Sequence, residues 1–326
     1  MNILVRLPNW LGDMVMSTAF VQALQTTYQN ASIDVIAKSN LGDVLDAMNN
    51  INEKYLFNKK DWKGLSGAYQ FGKMIRNKKK YDLFFCLPDS FSSALMGFAT
   101  GAKKRIGYKK ELRSFLLTQK FTKPTGLHRV DEYVRLLELF TGTEIKERKV
   151  ELMCTAAEIE NRMVINFNSE ASSRRMPVAK AISIMQILVQ QFTEHEFVFI
   201  GTPAEKEFVD SIVAQVPAST NTLVNKAGTT GVKELFNLIA SASVLLTTDS
   251  GPAHIANALH TKTVVLFGAG NEKNTAPYNK NDVTVIRNGT LPCEPCVSNS
   301  CRFGEPKCLL LLKNEIIAEA VVNGKN

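Results

Sequence analysis

No stretch of this chain is both long and apolar enough to span a membrane. The most apolar region, residues 84–102, is broken by Pro88 and Asp89 and carries Gly97 and Gly101, whereas a span needs about 20 predominantly apolar residues. Residues 1–7 run straight into a strand-like pattern and lack the basic, apolar and small-residue order of a secretory signal. Both absences predict a cytoplasmic protein, peripheral at the inner membrane face if it meets a membrane at all. In that compartment the six cysteines stay mostly reduced. No sequence repeat relates the two halves, and no Asp-x-Asp metal-binding pair occurs near the loops singled out below.

What is present is a soluble globular composition. Of the 326 residues, 45% are hydrophobic and 21% charged, which excludes a disordered chain and suits two domains of ordinary size. The net charge of +8 biases the surface toward anionic partners: nucleic acid, an acidic membrane or a phosphorylated substrate. A merely solvated basic surface has the same composition.

A buried strand over residues 2–7 leads into Pro8, Asn9, Trp10, Leu11, Gly12 and Asp13, then a helix to about residue 28 with the apolar stripe Met16, Phe20, Ala23 and Leu24. A second strand, 32–37, follows. Strand, helix and strand in succession predict a parallel, doubly wound sheet, with Asp13 on the loop where open α/β sheets bind ligands. The basic run Arg76, Lys78, Lys79 and Lys80 reads as a solvated helix end or a lipid-facing patch. A strand over 81–87 brings Pro88, Asp89, Ser90 and Ser93 to the same sheet edge as Asp13. The charged segment 143–161 has no long apolar run, which places a domain boundary near residue 155, with domains 1–155 and 156–326.

The second half repeats the style. A strand over 164–167 precedes a polar loop with Ser169, Arg174, Arg175 and Pro177, a helix over 179–192 and a strand over 197–200; a later helix, 232–240, feeds the stretch 243–270. There an apolar run stops at Thr247, Thr248, Asp249, Ser250 and Gly251, Pro252 sits where a first helical turn tolerates it, and a second apolar run ends at Gly268. Such a strand, turn and helix aims backbone N–H groups and a positive helix end at one point, which suits a phosphate. The fold class expected is α/β: two Rossmann-like domains with parallel sheets facing a central cleft, the last helix, 314–322, free to pack back on the first domain.

The string Asp-Ser-Gly-Pro-x-His followed by Ala-x-Ala-Leu and an apolar strand ending in Gly resembles the nucleotide-sugar site of the bacterial lipopolysaccharide heptosyltransferases, glycosyltransferase family 9. Other segments share the resemblance: Pro8 to Asp13 with Met14 and Ser17, Leu87 to Ser90 with Ser93, Arg105 to Tyr108, His128 with Tyr133, Gly228-Thr229 with Glu234-Leu235, and the stretch from Cys293 to Leu309. Two positions depart from it. Where the family usually has Lys-x-Trp-Pro this chain has Arg174-Arg175-Met176-Pro177, and Asp89 stands where Asn is more usual. The resemblance implies a GT-B fold, an amino-terminal acceptor domain and a carboxyl-terminal nucleotide-sugar domain. It implies ADP-heptose as donor and the lipopolysaccharide core, or lipid A-Kdo, as acceptor. The alternatives are another nucleotide sugar or surface glycan within the family and, from another class, a non-catalytic nucleic-acid-binding protein built on the basic charge and a cysteine metal site.

Glycosyl transfer needs a base for the acceptor hydroxyl and stabilisation of the departing diphosphate. The resemblance makes Asp13 the base; from the residues alone it reads first as a helix N-cap. Ser169, Arg174, Thr248, Asp249, Ser250, Gly251 and His254 are the donor candidates. Arg174 reads otherwise as a surface arginine, and Asp249 as a turn residue bonded to its own backbone. His254 is either a phosphate donor or a partner of a buried carbonyl. Asn9, Ser90, Arg105 and Arg113 are the acceptor candidates. Transfer is expected to invert the anomeric centre and to require no metal cofactor. Cys293, Cys296, Cys301 and Cys308 have the spacing C-x2-C-x4-C-x6-C, which could hold a structural zinc or belong to a plain loop of the second domain. No nucleic-acid partner is expected on the family reading.

Overall fold

The computed structural model describes residues 1–217 and 220–325. The chain divides into two compact units, one ending at Leu152 and the other starting at Met153. In the first, strands β1 (Asn2–Arg6), β2 (Ser32–Lys38), β3 (Lys54–Phe57), β4 (Leu83–Cys86), β5 (Lys104–Tyr108) and β6 (Gln119–Phe121) form one sheet in the order β3-β2-β1-β4-β5-β6. In the second, β7 (Ile159–Asn166), β8 (Glu196–Phe199), β9 (Thr222–Asn225), β10 (Ala242–Thr248), β11 (Thr263–Phe267) and β12 (Val283–Arg287) form another, ordered β12-β11-β10-β7-β8-β9. Every pairing is parallel.

Read from its own first strand, each sheet has the doubly wound 3-2-1-4-5-6 order. The strand order therefore reverses between β1 and β4 in one unit and between β7 and β10 in the other, and ligands bind outside the carboxyl ends at such a switch point. The central strands are buried on both faces, as parallel sheets covered by helices require. The first core gathers Leu4, Ile36, Phe84, Phe71 and Ile75; the second gathers Ile165, Leu246, Leu266, Leu188 and Leu309.

The sequence pattern predicts the central strands and misses β3, β5, β6, β9 and β12. These are short, and several are polar: Lys54 and Leu56 in β3 face water while Tyr55 and Phe57 are buried, and β6 is largely exposed. The single helix expected up to residue 28 is two helices, Leu11–Met16 and Thr18–Thr27, broken at Ser17, whose hydroxyl donates to the Met14 carbonyl at 2.7 Å. Trp10 occupies the N-cap of the first of these without a side-chain cap bond. Asp13 is thus the third helical residue, which corrects both its placement on the loop and its reading as an N-cap. The helix Arg129–Thr141 starts with the His128 ring accepting from the Val130 N–H and stops at Gly142, which has φ 76. The last helix, Asn314–Lys325, packs on the helix Val178–Gln191 and on β10, β11 and β12 of its own unit.

Candidate active site

In the second unit β7 ends at Asn166 and β10 at Thr248, on neighbouring strands at the switch point. The buried Asn166 amide donates to the hydroxyls of Thr247 at 3.0 Å and Ser250 at 2.8 Å. Thr248 donates its hydroxyl to the Asn168 carbonyl at 2.7 Å, and the Asn168 amide donates to the Ile200 carbonyl at 2.7 Å. These bonds tie together the loops after β7, β8 and β10.

Ser250 stands at the N-cap of the helix Gly251–Ala258, yet its side chain makes no cap bond. Its hydroxyl instead donates to the Thr248 carbonyl at 3.1 Å and accepts from Asn166. Pro252, in the first turn, has no N–H of its own to satisfy. The helix start is therefore without a side-chain acceptor, the condition under which an anion is stabilised there. His254 is buried at the end of that first turn.

Asp249 is buried beside Gly270, where a Cβ would lie 2.0 Å from Asp249 Oδ2, so only glycine leaves room for the carboxylate. Burial raises the Asp249 carboxyl to about 6, against the opposing pull of Arg174. The two are loosely paired, with Arg174 Nη1 3.5 Å from Asp249 Oδ2. Arg174 closes a short 3-10 turn, Ser172–Arg174. The Ser173 hydroxyl fastens that turn by donating to the Ser298 carbonyl at 2.5 Å. The Ser169 carbonyl accepts from Arg175 at 3.1 Å, and Ser169 itself is buried. Arg287 holds the far side by donating to the carbonyls of Gly268 at 2.8 Å and Gly270 at 3.0 Å while pairing with Glu272 and Glu294.

Cys293, Cys296, Cys301 and Cys308 line one small cavity with Ser173 and Phe303. Among the described residues, however, no group of three or more Cys, His, Asp or Glu side chains is gathered so as to hold a metal ion. Cys301 turns its thiol to the Glu305 carbonyl at 3.2 Å. Cys308 is part of the apolar core, where burial and the nearby Glu294 push its thiol up to about 11. The loop contacts the turn that carries Arg174 through the Ser298 and Asn299 carbonyls, which accept from Ser173 and Ser172.

In the first unit the loop after β1 is organised by Arg6, buried at the strand end. It donates to the carbonyls of Leu7 at 2.6 Å and Ile36 at 3.2 Å and to Asn9 Oδ1 at 2.5 Å. Asn9 is thereby engaged in shaping the loop. Desolvation lowers the Arg6 guanidinium to about 10. Asp13, about a quarter exposed, has Oδ1 3.4 Å from Arg129 Nε.

From Arg129 a chain of alternating charges runs to the loop after β4. Arg129 contacts Glu132 at 3.0 Å, Lys123 joins Glu132 at 2.9 Å to Asp89 at 2.7 Å, and Asp89 meets Arg113 at 3.4 Å. Arg113, 2% exposed, also donates to the Pro88 carbonyl at 2.7 Å. Burial works against the Arg129 charge, but Tyr133, Glu132 and Asp13 together hold its pKa above the usual value. The Tyr133 hydroxyl is pushed well up, first by burial and then by Asp13.

Asn9 and Ser90 are thus carried on the two loops that flank the switch point, Ser90 as the N-cap of the helix Phe91–Ala99; Asp13 lies in the first turn of the helix after β1, and Arg113 reaches the β4 loop from the 3-10 turn Glu111–Leu116 that follows β5. Arg105 is not with them. It is the second residue of β5, near the amino end of a parallel strand, and its guanidinium is spent on the carbonyls of Leu116 at 2.8 Å and Ala102 at 2.9 Å. The linking residues Lys123, Arg129 and Glu132, and Asn166 with Asn168, are not among the sequence-predicted site residues. Asn166, polar at the end of an apolar strand, is the one with a local signal.

The family model of glycosyltransferase family 9 (heptosyltransferase) matches residues 68–307. The chain is 28% identical over 304 residues to lipopolysaccharide heptosyltransferase 2 of Salmonella typhimurium, covering 85% of each protein. It is 24% identical over 329 residues to lipooligosaccharide heptosyltransferase 2 of Campylobacter jejuni, covering 98% of each. Among solved structures it superposes on E. coli ADP-heptose lipopolysaccharide heptosyltransferase II with a TM-score of 0.85 at 24% identity, covering 100% of this chain and 98% of that one. The last likeness concerns the fold, which is the GT-B fold expected from the sequence.

Proposed function

The chain belongs to glycosyltransferase family 9, and from that premise we propose that it transfers heptose from ADP-heptose to the inner core of lipopolysaccharide. The observation that carries the reading is the pairing of two switch-point sites. One bears Asp13 with its Arg129 partner; the other bears an uncapped helix start beside Arg174 and Asp249. The relatives' names, lipopolysaccharide and lipooligosaccharide heptosyltransferase 2, supply the sugar and the acceptor class.

In the proposed reaction the first unit holds the acceptor and the second the donor. Asp13 takes the proton of the acceptor hydroxyl as its oxygen bonds to the anomeric carbon. The bond from that carbon to the phosphate oxygen breaks and ADP departs. One direct displacement inverts the anomeric configuration. The growing charge on the leaving diphosphate is met by Arg174 and by the N–H groups at the start of the helix Gly251–Ala258, which act as fixed donors. Thr248 and Ser250 shape that turn, Asp249 holds sugar hydroxyls or orders the turn, and His254 contributes a ring N–H from the first helical turn. A cationic side chain and a helix start can do what a divalent ion does for a diphosphate, so turnover is expected to survive chelator. The protein is expected to act in the cytoplasm, peripheral to the inner membrane, where a glycolipid acceptor lies.

The test is turnover of ADP-heptose with a heptose-deficient lipopolysaccharide, in parent and Asp13→Ala, with and without EDTA. Transfer by the parent, its loss in the variant with donor binding kept, and indifference to EDTA are the expected results. Failure to bind ADP-heptose would move the donor to another nucleotide sugar, and a product with the donor's anomeric configuration by NMR would refute the single displacement.

A further inference from the structure

The 3-10 turn Glu111–Leu116 lies between β5 and β6, and it presents apolar side chains where a soluble surface gains nothing from them. Leu112 is 70% and Phe115 81% exposed. Two such side chains on one short turn are unusual, since large apolar groups this bare generally mark a contact surface. Phe98, on the helix Phe91–Ala99 that packs against this turn, adds a half-exposed ring. The Arg105 guanidinium lies 5.4 Å from the Phe98 ring centre and donates to the Leu116 carbonyl, which holds ring and turn together. Glu111 takes a left-handed φ of 44, a costly conformation for a residue with a side chain. The turn is built into that shape rather than frayed.

Charge singles out the same place. Between residues 103 and 123 the chain has eight lysines and arginines and the single acid Glu111. Lys109, Lys110 and Lys120 are exposed and take part in none of the ion pairs among the described residues. Their backbones are tied down: the Lys109 N–H donates to the Phe121 carbonyl and the Lys110 N–H to the Ser114 hydroxyl. An apolar tip flanked by uncommitted lysines on a fixed backbone matches an anionic bilayer, whose headgroups attract the ammonium groups while the tip enters the acyl boundary.

We propose that the turn Glu111–Leu116 is the docking element of this protein for an anionic lipid bilayer, with Leu112 and Phe115 entering the interface and Lys109, Lys110 and Lys120 on the headgroups. The proposal rests on the reading of the acceptor as a membrane glycolipid and adds the surface by which the enzyme meets it. Arg113, on the same turn, is buried against the Pro88 carbonyl and Asp89. The docking turn is thereby bolted to the loop proposed to hold the acceptor.

The experiment is co-sedimentation of the full chain with vesicles of phosphatidylglycerol and phosphatidylcholine, against phosphatidylcholine alone. The variants are the doubles Leu112→Ser/Phe115→Ser and Lys109→Glu/Lys110→Glu, with thermal melts to show that each stays folded. The parent is expected to bind the anionic vesicles and not the neutral ones, and each double to bind at least 10-fold more weakly. Transfer to a water-soluble, acyl-free acceptor should be unchanged in both doubles. Absence of parent binding overturns the proposal, as does equal binding by the serine double, which would leave a purely electrostatic polyanion surface. Equal loss of heparin and vesicle binding in the serine double would reassign the turn to soluble polyanions. Vesicle binding needs no donor or turnover, so a failure of the ADP-heptose reaction leaves this test standing and is distinguishable from it.

Discussion

Arg129 Nε stands 3.4 Å from Asp13 Oδ1, while the same guanidinium holds Glu132 through Nη1. The residue that steadies the proposed base is thus the first link of a charge chain that passes through Asp89 on the loop after β4 and ends at Arg113 on the turn after β5. The proposed base and the loop proposed to hold the acceptor are joined by this one chain of ion pairs, and loss of a link should disturb the geometry of both.

Asp13→Asn keeps the size and removes the base. Transfer should fall roughly 100- to 10,000-fold, the range general base catalysis contributes, with donor affinity kept. Arg129→Met should lower kcat by roughly 10-fold with donor KM unchanged, and Arg129→Lys should recover part of it, because a cation is restored without the planar fork. Steady-state kinetics with varied donor separate these effects; a change confined to donor KM would argue against a positioning role.

Arg174→Ala should raise donor KM by about 10- to 100-fold, the equivalent of a charge-assisted hydrogen bond worth about 1.5–3 kcal/mol. Arg174→Lys should retain part of the affinity as a point charge. Calorimetric titration with ADP reads this directly. Unchanged ADP affinity in the alanine variant would remove Arg174 from the diphosphate site.

Asp249 makes stability depend on pH. Its folded carboxyl lies at about 6, above the unfolded value of 3.8, because burial disfavours the charge. The stability contributed by its protonated form is complete below the unfolded value and is lost as pH rises through about 6. Asp249→Asn should therefore melt nearly like the parent near pH 4 and be the more stable, by about 2–3 kcal/mol, near pH 8. Thermal melts across that range test it; a constant difference at all pH values would mean that the carboxyl titrates normally in the folded state.

Gly270→Ala places a methyl 2.0 Å from Asp249 Oδ2, a clash that requires the buried Asp249 carboxylate to move. A loss of about 1–3 kcal/mol is expected from such overpacking, together with weaker donor binding. Combining it with Asp249→Ser should recover most of the stability, and a double-mutant cycle measures that coupling. Additive effects would show that the glycine serves something other than room for the carboxylate.

The sequence by itself determined the central strands and the punctuation between them. A buried parallel strand is a local run of apolar residues, as in Leu4-Val5 or Val244-Leu245-Leu246. A turn into a helix is a local string, as in Asp249-Ser250-Gly251-Pro252. The switch-point positions of Asp13 and Ser250 followed from that order. Only the tertiary structure decided the rest, because it depends on which distant segments lie side by side. Strand register put Arg105 near the amino end of β5, away from Asp13. Packing of the helix Arg129–Thr141 and the residues before it brought Arg129 and Lys123 between Asp13 and Asp89. The approach of the segment after β11 made Gly270 the neighbour of Asp249. The cysteine spacing left a metal shell and a plain loop both open, and only the chain path set Cys308 in the core and turned Cys301 to a carbonyl. Spacing along a chain constrains ligands only when the backbone also turns them toward one point.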